Sequence, residues 1–140
     1  MLRLVADTNT VVSALLWRGA PHRLFEVIEA GELSFFTSRA LLDELADVLP
    51  RRKLARAVQA TGKTLETLHG EYEDLAQLVQ PSALRRRVGR DRDDEAVIAC
   101  ARAAGADLIV SGDKDLLVLK THGRIRIVNA AEALRMIAAT

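Results

Sequence analysis

Residues 2–10 of this chain read Leu2-Arg3-Leu4-Val5-Ala6-Asp7-Thr8-Asn9-Thr10. A short apolar run that ends in a polar turn is typical of a buried strand. A second run of this kind, Leu108-Ile109-Val110, leads into Ser111-Gly112-Asp113-Lys114-Asp115. In an open α/β sheet, groups just past the carboxyl ends of the strands share one crevice, so we expect Asp7 and Asp113 to lie together. Their carboxylates would repel each other, and a divalent cation is the usual reason for such a cluster.

The rest of the chain alternates between strand-like runs and segments with apolar residues at helical spacing. The strand-like runs cover residues 2–6, 33–37, 107–111 and 125–128. This alternation predicts an α/β fold with a central, mainly parallel sheet of four or five strands that is covered by helices. Helices predicted over about residues 51–60 and 64–79 would form a small cap. We expect residues 1–140 to form one domain.

The composition limits the classes of function. The hydrophobic fraction of 49% is enough for a folded core, whereas the aromatic fraction of 4% argues against aromatic platforms that stack on bases. Lys and Arg (20) nearly balance Asp and Glu (19), so any nucleic-acid binding must depend on local patches. The one cysteine, Cys100, excludes an internal disulfide and a multi-cysteine zinc site, and its predicted helix favours a packing role.

The start of the chain and the lengths of its apolar runs indicate the cellular location of the protein. The sequence begins with a strand-like run and not with a basic leader and cleavage site. Its apolar stretches are shorter than a bilayer requires. These features predict a soluble, cytoplasmic protein that has no membrane partner.

Acidic side chains occur at four places that could share one site. Asp7 follows the first strand, and Glu44 borders the apolar stripe of the helix after the second. The third place is the start of a later helix, with Asp91, Asp93, Asp94 and Glu95. The fourth is the turn after Val110, with Asp113 and Asp115. Dispersed carboxylates without His or Cys partners indicate Mg²⁺ or Mn²⁺ and phosphoryl chemistry. Each acid alone has an ordinary explanation as a turn, cap or surface residue, so only the joint pattern is specific.

Four pieces of the sequence resemble a PIN domain, and the closest branch is the toxin components of bacterial toxin–antitoxin pairs, of the VapC type. The pieces are Leu-Val-Ala-Asp-Thr-Asn-Thr-Val-Val-Ser-Ala at 4–14, Ser-Arg-Ala-Leu-Leu-Asp-Glu-Leu at 38–45, Arg-Asp-Arg-Asp-Asp-Glu-Ala-Val-Ile-Ala at 90–99 and Ala-Asp-Leu-Ile-Val-Ser-Gly-Asp-Lys-Asp-Leu-Leu at 106–117. The resemblance implies a Rossmann-like sheet and a metal-dependent ribonuclease. It also implies a cognate antitoxin and a homodimer.

The resemblance also implies the site residues. The acidic quartet maps onto Asp7, Glu44, one acid of residues 91–95, and Asp113, with Mg²⁺ or Mn²⁺ as the cofactor. Counting back from Gly105 favours Asp94 as the third acid, whereas counting back from Ile98 and Ala99 favours Glu95. This branch commonly has proline where Arg92 stands, so the sequence does not decide the conformation of the local turn or which of the two acids is the ligand. We choose Asp94, with Glu95 second. The supporting polar residues are Asn9, Ser111 and Asp115.

The predicted reaction is hydrolysis of RNA phosphodiester bonds by a metal-activated water. A basic group lies beside the third acidic cluster and consists of Arg85, Arg86, Arg87, Arg90 and Arg92. These side chains could bind RNA phosphates. They could equally form a solvated loop whose charges offset the nearby acids.

Two other functions remain open from the sequence. Asp7-Thr8-Asn9-Thr10-Val11 partly resembles the motif of haloacid-dehalogenase-like phosphatases, in which the first Asp is a nucleophile. Asn9 stands where that chemistry needs a second Asp, which argues against it. Alternatively, the chain is a non-catalytic module that binds RNA or a partner peptide through its apolar helices.

Overall fold

The computed structural model describes residues 1–82 and 92–139 of the chain. Six strands and eight α-helices lie in this part, together with one 3₁₀ turn at Arg52–Leu54. In chain order the elements are β1 (Arg3–Ala6), α1 (Thr8–Leu16), α2 (Ala20–Glu29), β2 (Ser34–Thr37), α3 (Arg39–Val48), α4 (Ala55–Ala60), α5 (Leu65–Leu75), β3 (Gln77–Leu78), α6 (Arg92–Ala104), β4 (Leu108–Val110), α7 (Lys114–Leu117), β5 (Thr121–His122), β6 (Ile125–Val128) and α8 (Ala130–Ala138).

The strands form one sheet in the order β3-β2-β1-β4-β6-β5. All neighbouring strands are parallel except β5, which pairs antiparallel with β6. The predicted α/β class and mainly parallel sheet are therefore confirmed. The sheet has six strands, not four or five, because β3 and β5 are two-residue edge strands without an apolar run to reveal them. The helix predicted over residues 64–79 accordingly ends at Leu75, and β3 follows it.

Helices cover both faces of the sheet, which explains the long apolar runs of the central strands. Side chains alternate along β1, so Leu4 and Ala6 belong to one core cluster and Val5 belongs to the other. The first cluster includes buried residues from α1, α2 and α8, and the second includes those of α6. From the predicted cap region, α5 contributes Leu68 and Tyr72 to the first cluster.

The register aligns the residues that follow the strands. Val5 pairs with Phe36, Ala6 with Val110, and Val110 with Val128. One or two residues further along each strand, a row forms that consists of Ser38, Asp7, Ser111 and Asn129. Three members of this row are helix N-caps, because their side-chain oxygens accept backbone N–H groups of α1, α3 and α8. We call this row the carboxyl edge.

The strand order fixes where a crevice forms. After β1 the chain moves to β2 and β3 on one side, whereas β4 and β6 lie on the other side of β1. The side on which the chain adds successive strands thus changes between β1 and β4, and we call this place the reversal point. In open α/β sheets, ligands bind outside the carboxyl ends of the strands at this point. Asp7 and Ser111 are the two members of the carboxyl edge that stand there.

In residues 1–82 and 92–139, the helices are too short or too polar to cross a bilayer.

Candidate metal centre at the carboxyl edge

Asp7 is held firmly at the reversal point between β1 and β4. Its backbone N–H donates to the carbonyl of Val110 at 3.0 Å, which extends the pairing of the two strands. Its Oδ1 accepts the backbone N–H of Thr10 at 2.9 Å, and its Oδ2 accepts the hydroxyl of Ser111. The side chain is buried. Both carboxylate oxygens are thus oriented by uncharged donors, which leave the negative charge in place.

Ser111 links the two acids that follow β1 and β4. Its hydroxyl donates to Asp7 Oδ2 and accepts the backbone N–H of Asp113 at 2.9 Å. Asp113 is half-buried, and its Oδ1 accepts the backbone N–H of Asp115 at 2.8 Å as the N-cap of α7. The hydroxyl of Ser111 therefore contacts the carboxylate of Asp7 and the backbone of Asp113, so the two residues lie on either side of it at the carboxyl edge. The exposed Asp115 takes part through its backbone in this turn.

The two candidates for the third acid differ in burial. Asp94 is only 3% exposed, whereas Glu95 is half-buried. Asp94 lies three and four residues before Val97 and Ile98, which are fully buried in the core cluster beneath α6. Residues at this spacing share one helix face. Asp94 therefore lies on the face of α6 that packs against the sheet, which favours it over Glu95.

Glu44 lies on α3, the helix that follows β2, and β2 is a neighbour of β1. Glu44 is half-buried, between the buried Leu41 and Leu45. The hydroxyl of Tyr72 donates to Thr37 Oγ1 at 2.6 Å, at the end of β2. Burial raises the pKa of Tyr72, its hydrogen bond with Thr37 opposes this rise, and the nearby Cys100 and Glu44 add to it. The charge of Glu44 thus acts on the Tyr72 hydroxyl, which is hydrogen-bonded to Thr37 at the end of β2.

Cys100 belongs to the same buried region and is the packing residue that the sequence predicted. It is fully buried on α6. Burial raises the pKa of its thiol to about 12, and a hydrogen bond with Ser38 opposes that rise. A thiol with such a pKa stays protonated at neutral pH and is a poor nucleophile or metal ligand.

The donor chemistry fits a hard cation, although the acids do not form a ready-made cage. Among the described side chains, no three His, Cys, Asp or Glu groups are close enough to hold a metal ion together. Mg²⁺ needs only one or two carboxylates when waters complete its shell. Asp7 and Asp113 supply carboxylates of this kind, and each oxygen of Asp7 still has a second lone pair. The residues therefore fit an ion that is held by few carboxylates and several waters.

Other predicted residues lie around or outside this centre. Asn9 is exposed in the first turn of α1, where it lines a cavity that Asp113 also lines. Four of the five predicted RNA-binding arginines lie outside the described residues. For the fifth, only the backbone is described. The four are Arg85, Arg86, Arg87 and Arg90, and the fifth is Arg92, whose backbone starts α6. Asp91 and the side chain of Asp93 also lie outside the described part.

Comparison with known proteins identifies the family. The model of the PIN domain matches residues 3–115. The chain belongs to the PIN-domain family. PIN domains are generally nucleases, which are hydrolases, and generally use divalent metal ions. Comparisons with curated proteins and with solved structures find no match. Membership of this family favours a nuclease over the haloacid-dehalogenase-like phosphatase that the Asp7 motif partly resembled.

Asn129 was not among the predicted site residues of this PIN domain. The structure places it on the carboxyl edge beside Ser111, because Val110 pairs with Val128. The available signal was its position directly after an apolar run, which is also the position of Asp7 after β1. The contact between Ser111 and Asp7 had no local signal, because 104 residues separate the two.

Proposed function

We propose that this PIN domain is a metal-dependent ribonuclease that hydrolyses RNA phosphodiester bonds. The observation that carries the proposal is the hydrogen-bonded series from Asp7 through Ser111 to Asp113, at the reversal point between β1 and β4. A buried carboxylate that is held by neutral donors is costly unless its charge is used. Attraction of a cation is such a use.

Each residue of the site has a separate role in this proposal. Asp7 and Asp113 would hold Mg²⁺ or Mn²⁺, and Ser111 fixes the rotamer of Asp7. When bound, the ion supplies charge neutralisation at the phosphate and acidifies a water ligand. Asp94 adds negative charge from the buried face of α6. Glu44 would orient the attacking water from α3. Asn9 and Asp115 support the rim of the site.

The biological setting is part of the proposal. Its support is the resemblance to the toxin components of toxin–antitoxin pairs. We infer a cognate antitoxin that suppresses cleavage, and a homodimer as the active form. The arginines at 85–87, 90 and 92 would bind the RNA phosphates. Rescue of toxicity by the product of a small neighbouring reading frame, together with the mass of the purified protein in solution, tests these points.

The decisive experiment is an RNA cleavage assay with the purified protein, with EDTA, Mg²⁺ or Mn²⁺ added. We expect cleavage that EDTA abolishes and either ion restores. Asp113→Asn keeps an N-cap for α7, so it should fold normally yet cleave very slowly. RNA binding without cleavage at any metal concentration would instead support a non-catalytic module. Cleavage that survives both EDTA and Asp113→Asn would contradict the proposal.

The third acid is tested in the same assay. Asp94→Asn and Glu95→Gln each remove one charge and keep the size of the side chain. Because Asp94 faces the sheet, its variant should lose far more cleavage than the Glu95 variant. The reverse order would assign the third position to Glu95.

A further inference from the structure

A cavity of about 430 Å³ opens beside the candidate metal centre. Its wall includes Ser111 and Asp113, so it is continuous with the crevice at the end of β4. The first turns of α1, α2 and α8 supply the remaining walls. The volume lies within the range of small-molecule sites, which is roughly 300–1,000 Å³. A substrate bound at Asp113 therefore has room for one of its groups in this cavity.

The two asparagines of the chain, Asn9 and Asn129, both line this cavity. Asn129 Oδ1 accepts the backbone N–H of Glu132 at 2.8 Å, so its amide NH₂ is the group that remains to donate. Asn9 lines the cavity from α1, and its side chain makes no hydrogen bond within the described part of the chain. Amides are the side chains that pair with the edges of nucleobases through both a donor and an acceptor.

The described part of the lining carries one charged side chain, the carboxylate of Asp113. Among the described residues that line the cavity, none is Lys, Arg or aromatic. A phosphate would lack a cationic side chain there and would meet the carboxylate of Asp113. Stacking on an aromatic ring, the usual way to hold an unpaired base, is not offered either. Ala20, Pro21 and Ala131 supply small apolar surfaces. A neutral, flat, polar group such as a nucleobase fits this lining.

We propose that this cavity holds the nucleotide next to the scissile phosphate, and that the amides of Asn129 and Asn9 bind the edge of its base. The inference rests on the proposed nuclease function and adds a subsite to it. Asn129 and Asn9 are then specificity residues, which select one base beside the cut. They do not hold the metal ion.

Binding is tested without any reaction. Protein labelled with ¹⁵N only at asparagine gives side-chain signals from these two amides alone, because the sequence has no other asparagine. We expect both signals to shift when at least one of the four ribonucleoside 5′-monophosphates is added. Ala131→Leu fills the cavity from the half-buried second residue of α8 and should abolish the shifts. Ala138→Leu, at an exposed position on the same helix, should preserve them.

Specificity is tested by mapping the ends of the cleavage products. Wild type should prefer one base at one position beside the cut. Asn129→Ser retains an N-cap for α8 but removes the amide, so the preference at that position should flatten while the fold is kept. An unchanged preference in Asn129→Ser would overturn the assignment of base recognition to this side chain.

The two proposals fail in different ways. If wild type does not cleave RNA, the proposed function fails, and the labelled asparagines still decide whether the cavity binds nucleotides. If wild type cleaves but no nucleotide shifts either amide, the subsite is wrong and the nuclease stands. Shifts that persist equally in Ala131→Leu and Ala138→Leu would also overturn the subsite.

Discussion

Strands β1 and β4 carry an aspartate at each end of their pairing, and the two aspartates have different surroundings. At the amino end, the exposed Asp107 accepts the backbone N–H of Arg3 at 2.9 Å. The guanidinium of Arg3 donates to the carbonyl of Ala104 and lies over the ring of Phe36. At the carboxyl end, within residues 1–82 and 92–139, the buried Asp7 accepts the backbone N–H of Thr10 and the hydroxyl of Ser111, which are both neutral donors.

This difference separates a structural carboxylate from a candidate functional one. Water screens the charge of Asp107, and its hydrogen bond closes the start of the strand pair. Asp7 carries a charge out of water without a cationic partner in the part of the chain that the structure describes. Such an arrangement lowers stability unless a ligand uses the charge. The same residue type on the same two strands thus serves the fold at one end and a site at the other.

The largest expected effect contrasts the two aspartates directly. Asp7→Asn should lower RNA cleavage by roughly 10²–10³-fold, the usual loss when one preorganised electrostatic group is removed. Asp107→Asn makes the same chemical change at the amino end and should leave cleavage within about twofold of wild type. Rates measured on one RNA at saturating Mn²⁺, with melting temperatures as a folding control, provide the comparison. Equal losses in both variants would show that the two ends do not differ in function.

A smaller effect is expected from the hydroxyl that orients Asp7. Ser111→Ala removes the donor to Asp7 Oδ2 and should lower cleavage by about 10–100-fold, as expected for a group that orients a metal ligand. Ser34 lies at the amino end of β2, where its hydroxyl contacts Met1 Sδ at 3.5 Å. Ser34→Ala is the matched control and should keep full activity. If a raised metal concentration fails to recover part of the Ser111→Ala loss, the hydroxyl does not act through metal binding.

The smallest effect concerns stability at alkaline pH. Burial raises the pKa of Cys100 from 9.0 to about 12. Between these values the unfolded thiol loses its proton while the folded thiol keeps it, so the free energy of unfolding falls as the pH rises. Cys100→Ala removes this contribution and should lose less stability than wild type between pH 9 and 10.5. Urea unfolding at both pH values measures the difference. Asp107→Asn should keep the wild-type slope, because it leaves Cys100 and its surroundings unchanged.

The sequence predicted the fold class correctly, because the class depends on local patterns of apolar residues. The apolar run before Asp7 marks β1, and the run before Ser111 marks β4. The edge strands β3 and β5 were missed because two-residue strands are fixed by their neighbours and not by their own composition. Likewise, Asp94 and Glu95 were hard to rank from adjacent positions, whereas their burial on α6 separates them.

Local sequence alone determined that Asp7, Ser38 and Asn129 end a strand and begin a helix, because N-capping requires a short polar side chain at that position. Tertiary structure alone decided which of these residues became neighbours. Hydrogen bonds between strands join residues that are about a hundred positions apart, so the order β2-β1-β4-β6 is not written in any one segment. That order places the hydroxyl of Ser111 against Asp7 and opens the cavity beside Asn129.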